Sequence, residues 1–172
     1  MNAFEITFWL SLVLVGYSYV GYPVLLWVLS FFRAYDVVRG DSTPSVTYIV
    51  TAYNEEKRIA EKLDNTLALM YPSALLEILV ASDCSSDNTD AIVSSYAGRG
   101  IRLVRAPERK GKEAAQKLAV EVAKGEILVF SDVATILPQD AVSNIVRTFQ
   151  DPTVGCVSSV DRFIDQDGKV SG

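Results

Sequence analysis

The 172 residues carry a net charge of −5, nearly half are apolar, and none is histidine. That length allows about one domain, and the acidic balance excludes an electrostatically driven nucleic-acid binder. The lack of histidine excludes a His-ligated zinc site, a Ser-His-Asp triad and a histidine general base within the chain.

The apolar content is uneven. Ile6–Phe32 is 27 residues without a charge. As a helix it would span about 40 Å, against about 30 Å of bilayer hydrocarbon. A secretory signal would show a basic start and a run of roughly 7–15 apolar residues; here only Glu5 precedes, and the run is too long. A buried core helix would rarely be apolar on every face. The segment therefore reads as a single membrane span. Arg33 and Arg39 follow it and nothing basic precedes it, which places the C-terminal side in the cytoplasm. Trp9 and Trp27 suit the interfacial belts, and Pro23, beside Gly21, is expected to kink or divide the helix.

A short linker holding Gly40, Asp41, Ser42 and Pro44 follows, and then strands alternate with helices. The pattern predicts a strand over Ser45–Ala52, then a helix over Glu55–Met70 with Ile59, Leu63, Leu67 and Met70 on one face. Tyr71-Pro72 ends that helix. A second strand is predicted over Glu77–Ser82, and a helix capped by Ser86 or Asp87 runs to about Ala97. Ile101–Arg105 is a third strand. Lys112–Lys124 is a helix, with Gly125 as its C-terminal stop. Glu126–Ser131 is a fourth strand, a helix starting near Pro138 runs to about Gln150, and Val154–Val160 is a fifth strand.

Strands apolar throughout and joined by helices imply a mostly parallel sheet covered on both faces, a Rossmann-like α/β fold. Its ligands sit beyond the carboxyl ends of the strands. Asp83 and Asp132 follow two strands directly, and Arg105, Arg109, Lys110 and Lys112 lie between them in sequence. An acid in such a place is most often a helix cap, as Asp87 would be, and a basic loop is most often merely solvated. Emergence of all three at one sheet edge favours a nucleotide pocket, with acids for a metal or ribose and cations for phosphate.

TAYNEE (residues 51–56), DCSSDNT (83–89), ERKGKEAA (108–115) and ILVFSD (127–132), in that order, resemble the motifs of inverting family 2 glycosyltransferases of the GT-A fold. The lead GYPVLLW (21–27) is similar to that of membrane-anchored members. The resemblance implies a GT-A donor-binding domain over 45–172, truncated before the acceptor half, after a membrane helix with its flanks (1–33) and a linker (34–44). It also implies an inner-membrane protein with a cytoplasmic α/β domain. Transfer would be inverting and metal-dependent, from a nucleotide-sugar donor, UDP-linked, to a glycan or lipid acceptor. Ala52, Tyr53 and Glu55 would line the donor's base and ribose, Asp83 would bond the base, and Lys112 would reach the base or diphosphate. Asp132 would bind the divalent cation, Mg²⁺ or Mn²⁺. The chain departs from the pattern at Cys84, where the family has Gly, and at Ala134, where a second metal ligand would fall. No general base is assigned; Asp161, Asp165 and Asp167 are candidates by charge alone. A non-catalytic, truncated or degenerate membrane module that binds nucleotide or a partner is the alternative class.

Overall fold

The computed structural model describes residues 2–32 and 37–160, with the backbone of 163–164 and 170–171. The chain forms two compact units, Met1–Val37 and Val38–Gly172.

The first unit is helical from Ala3 to Ser30, a stretch with mean hydropathy 1.8 and no buried residue. The Asn2 side chain accepts from Glu5 N at 2.8 Å, and the Glu5 carboxylate accepts from Asn2 N. This reciprocal cap satisfies donors that the first turn would otherwise orphan. Helix α1 (Ala3–Gly16) passes through one π-helical turn, Tyr17–Gly21, into α2 (Tyr22–Ser30). Pro23 explains that turn. It has no N–H to give to the carbonyl of Tyr19, and its ring would strike that carbonyl in a regular helix. The widened turn re-pairs the backbone, with Tyr22 N donating to Tyr17 O.

In the second unit four parallel strands stand in the order β3-β2-β1-β4. They are β1 (Val46–Ala52), β2 (Leu76–Ser82), β3 (Ile101–Arg105) and β4 (Ile127–Asp132). Between and after them lie α3 (Ile59–Leu67), α4 (Thr89–Ser95), α5 (Lys112–Val122) and α6 (Ala141–Thr148). Alternate side chains of each strand face opposite ways. Val46, Tyr48, Val50, Ile78 and Val80 point to one face and pack against Ile59 and Leu63 of α3, Val93 of α4, and Val142 and Val146 of α6. Ile49, Leu79 and Ala81 point to the other and meet Ala115 and Ala119 of α5.

Several elements differ from expectation. Helix α3 starts at Ile59 rather than Glu55, because residues 54–56 spend their polar groups on the neighbouring loop. Met70 is 61 % exposed and Leu69 is buried in its stead, since the helix has ended at Leu67. Helix α4 ends at Ser95, with a short 3₁₀ turn at Ala97–Arg99. Helix α5 stops at Val122, so Gly125 is not its C-terminal stop but a point of close approach. A Cβ there would lie 2.2 Å from Thr47 N. Helix α6 begins at Ala141 and ends at Thr148. The expected strand over Val154–Val160 does not form: it is irregular, and the outer edge of β4 has no ladder partner among the described residues. Its Gly155, Ser158 and Ser159 bring little β preference or burial to hold it there. Two short strands, β5 (Phe163–Ile164) and β6 (Val170–Ser171), pair antiparallel.

Candidate functional site

Four loops leave the carboxyl ends of the strands. The first two are bonded to each other. Asn54 Oδ1 accepts from Ser86 N at 2.8 Å, Glu55 N donates to Thr89 Oγ1 at 2.8 Å, and Glu56 N donates to Asp87 Oδ2 at 3.1 Å. Asp87 also accepts from the amide and hydroxyl of Thr89, the first residue of α4, but the N-cap position is Asn88 rather than the expected Ser86 or Asp87, and its side chain makes no capping bond. Desolvation pushes its carboxyl up. The hydrogen bonds from Thr89 and Glu56 outweigh that and hold it below the usual carboxylate range. Asn54 and Cys84 have φ of 53° and 56°. Asparagine tolerates that left-handed region; Cys84 occupies the position where the motif carries glycine.

Asp83 is 4 % exposed at the end of β2. Its two carboxylate oxygens accept from Lys110 N and Gly111 N, each at 3.0 Å. The carboxylate thus fastens the loop between β3 and α5, and Gly111 (φ 94°) makes the bend that places Lys112 first in the helix. Lys112 Nζ then lies 2.6 Å from Asp132 Oδ1 at the end of β4. The four basic residues separate. The Arg109 guanidinium stacks over the Tyr53 ring at 4.0 Å, Arg105 turns away to Asp90 and the Ser85 carbonyl, and Lys110 pairs with Glu108.

A cleft of about 360 Å³ gathers Ala52, Tyr53, Glu55, Asp83, Lys112 and Asp132, together with Thr51, Val133 and Ala134. All six residues singled out in the sequence therefore meet in one place. A larger hollow, about 880 Å³, runs along the open edge of β4, with Glu126 the one charged residue lining it. It shares no lining residue with the cleft of convergent acids and cations.

Among the described residues, Asp132 alone could hold a divalent cation from the protein side. Ala134 offers no donor, Glu55 is paired with Arg58, and no group of three His, Cys, Asp or Glu converges among the described residues. This does not make a closed protein cage. It fits an ion that takes one or two carboxylates and fills its shell with substrate phosphate and water. Asp132 already holds one cation, the Lys112 ammonium. The candidate bases Asp161, Asp165 and Asp167, like Arg33, lie outside the described residues.

The pattern reading missed two residues behind this cleft. Lys62 and Asn65 of α3 reach the loop that follows Asp132. Their signal was present: Lys62 shares a helical face with Ile59, Leu63 and Thr66, where a charge is unexpected.

Residues 47–171 match the family model described as glycosyl transferase family 2. The chain belongs to that family. A dolichyl-phosphate beta-glucosyltransferase of Trichomonas vaginalis is 39% identical over 94 residues, covering 50% of this chain and 28% of that protein. A poly-beta-1,6-N-acetyl-D-glucosamine synthase of Staphylococcus aureus is 32% identical over 125 residues, covering 72% of this chain and 30% of its own length. Among solved structures, a mannosyltransferase of Pyrobaculum calidifontis in complex with GDP-mannose and Mn²⁺ superposes with a TM-score of 0.76 at 35% identity, covering 87% of this chain and 46% of the other. Staphylococcus aureus TarS with UDP-GlcNAc gives 0.54 at 26% identity, over 59% of this chain and 30% of that one. This family 2 chain thus has the GT-A fold and spans less than half the length of each of these relatives.

Proposed function

We propose that this chain is the donor-binding part of a membrane-anchored glycosyltransferase. It would transfer a sugar, with inversion, from a nucleotide-sugar donor, UDP-linked, to a glycan or lipid acceptor. The observation that carries the reading is the convergence of Tyr53, Asp83, Lys112 and Asp132 in one cleft at the carboxyl ends of four parallel strands. Two family neighbours with known structures hold GDP-mannose with Mn²⁺ and UDP-GlcNAc, which supports a nucleotide-sugar ligand.

In this reading the face of Tyr53, backed by Arg109, receives the base, and a free lone pair of Asp83 accepts from it. The Lys112 ammonium sits where the diphosphate would lie and would pair with a phosphate oxygen, while Asp132 would hold the divalent cation. Mg²⁺ or Mn²⁺, when bound, neutralises the charge that grows on the nucleoside diphosphate as the sugar departs. No described residue is assigned the general base. The 28-residue helix Ala3–Ser30 is assigned the membrane span, with the α/β unit cytoplasmic and residues 34–44 as the linker.

The test is calorimetry of the full chain in detergent with UDP and GDP, each with Mn²⁺ and with a chelator. Binding should strengthen with Mn²⁺, and Asp132→Ala should lose that gain. A chain that binds neither nucleotide under any of these conditions refutes the proposal. Tight binding without release of nucleoside diphosphate from nucleotide sugars would assign the chain to the non-catalytic class instead.

A further inference from the structure

Lys62 is fully buried in the middle of α3. Its ammonium has three donors, and all three are used: Tyr48 Oη accepts at 3.0 Å, Ser131 Oγ at 2.8 Å and the Thr135 carbonyl at 2.6 Å. Each acceptor is neutral. Burying an ammonium costs several kcal/mol even after relaxation, and a methionine would fill the same volume without that cost. Packing alone does not explain a lysine here.

What the three bonds share is their destination. Ser131 immediately precedes Asp132, and Thr135 closes the turn after it, its own N–H donating to Asp132 O at 3.2 Å. One helical turn along α3, Asn65 makes a two-way contact with the same loop. Its Nδ2 donates to Leu137 O at 2.9 Å and its Oδ1 accepts from Leu137 N at 3.0 Å. Helix α3 thus grips both ends of the stretch 131–137. The residues held between the grips, Asp132, Val133 and Ala134, are those that line the cleft.

The Asp132 carboxylate also acts on Lys62 through space. Burial pulls the ammonium down to about 8, and the field of Asp132 opposes that pull, so Lys62 is a cation at neutral pH. Lys112 contacts Asp132 within the cleft, and on the core side Lys62 holds the residue before it, Ser131.

We propose that Lys62 and Asn65 are positioning residues for the divalent-cation site: they fix the loop so that the lone Asp132 carboxylate faces the diphosphate. This rests on the donor-site reading above. The need for such a clamp follows from Ala134. With a second carboxylate missing, the protein's share of the ion's shell depends on one side chain, and loss of its orientation has no substitute. Outer partners of a metal ligand typically matter by about 10–100-fold in metal affinity.

The experiment measures Mn²⁺ binding directly, by loss of the free-ion paramagnetic resonance signal, in the full chain in detergent saturated with UDP or GDP. Nucleotide affinity with a chelator present is measured in parallel. Lys62→Met and Asn65→Ala should each weaken Mn²⁺ binding by about 10–100-fold while metal-free nucleotide affinity changes far less. A merely structural role would lower both together, and that result overturns the proposal. So does wild-type Mn²⁺ affinity in folded variants. If Lys62→Met does not fold, Asn65→Ala decides alone, since it removes two hydrogen bonds without disturbing the buried ammonium. Failure of the wild-type chain to bind either nucleotide would instead refute the donor-site reading, and the clamp would fall with it.

Discussion

Replacing Asp83 separates two roles that its position combines. Its carboxylate accepts from the backbone of Lys110 and Gly111, each at 3.0 Å, and hydrogen bonds to a charged acceptor contribute about 1.5–3 kcal/mol each. Lys110 and Gly111 are themselves exposed, so water can reach their amides once the carboxylate is gone. The pair should therefore count near the low end, about 3 kcal/mol in total. For a domain of this size that lowers the thermal midpoint by roughly 6–12 °C. Asp83→Asn should do nearly as badly as Asp83→Ala: the amide oxygen accepts from one N–H, and the NH₂ group then faces the other. The loop should also loosen, exposing Arg109 and Lys110 to trypsin. Thermal unfolding by circular dichroism and limited proteolysis of the chain in detergent measure both effects. An Asp83→Asn chain with wild-type midpoint and protease resistance, but without nucleotide binding, would show that Asp83 contacts the base and does not anchor the loop.

Gly125→Ala should destabilise by about 3 kcal/mol or more. Its Cβ would lie 2.2 Å from Thr47 N and 2.5 Å from Val46 C, backbone atoms of β1 that cannot swing aside. An unchanged denaturant midpoint would contradict that packing. The full chain should stay with membranes through high-salt and carbonate washes; recovery in the soluble fraction without detergent would exclude a span at Ala3–Ser30. The lowered Lys62 value gives a pH signature without metal. Between pH about 8 and 10 the folded chain sheds this proton while the unfolded chain, at 10.5, keeps it, so stability should rise with pH. The slope is at most about 1.4 kcal/mol per pH unit. Above that window the raised value of buried Tyr48 acts in the opposite sense. A Lys62→Met chain should lack the rise, and a flat wild-type profile would refute the assignment.

The four parallel strands were legible to within a residue or so, because β-branched and aliphatic runs bounded by loop chemistry leave little freedom of register. Of the six cleft residues, Asp83, Asp132 and Lys112 were legible from their place after strand ends, where this topology puts ligands, and Ala52, Tyr53 and Glu55 from the resemblance of TAYNEE to the family motif. What escaped the sequence depends on partners distant along the chain. The start of α3 moved because Asn54, Glu55 and Glu56 found bonds in residues 85–89. Gly125 looked like a helix stop, yet its constraint comes from β1, whose register with β4 sets the approach. Val154–Val160 stays irregular although the outer edge of β4 is open among the described residues, because Gly155, Ser158 and Ser159 interrupt its apolar positions. Lys62 is not marked by the helical pattern, which places lysine outside; only its neighbours Ile59, Leu63 and Thr66 mark that face as buried.

The two faces of the sheet are unequal, and the thinner one bears on the cleft. There the two buried residues of α5, Ala115 and Ala119, meet Ile49, Leu79 and Ala81 with their methyl groups, and Gln116 donates to Thr51 Oγ1 beside them. Those alanines act as a shim: they set how close the helix axis lies to the sheet. The same helix begins with Lys112, one turn from Ala115, so the thickness of the shim also sets how far that ammonium reaches toward Asp132. A single added carbon on the buried back of α5 would push the helix off the sheet and strain the bond that ties its start, at Gly111, to Asp83. Sites with no ligand contact, on the side of the sheet away from the main core, thereby become adjustment points for the distance between the two charges at its front.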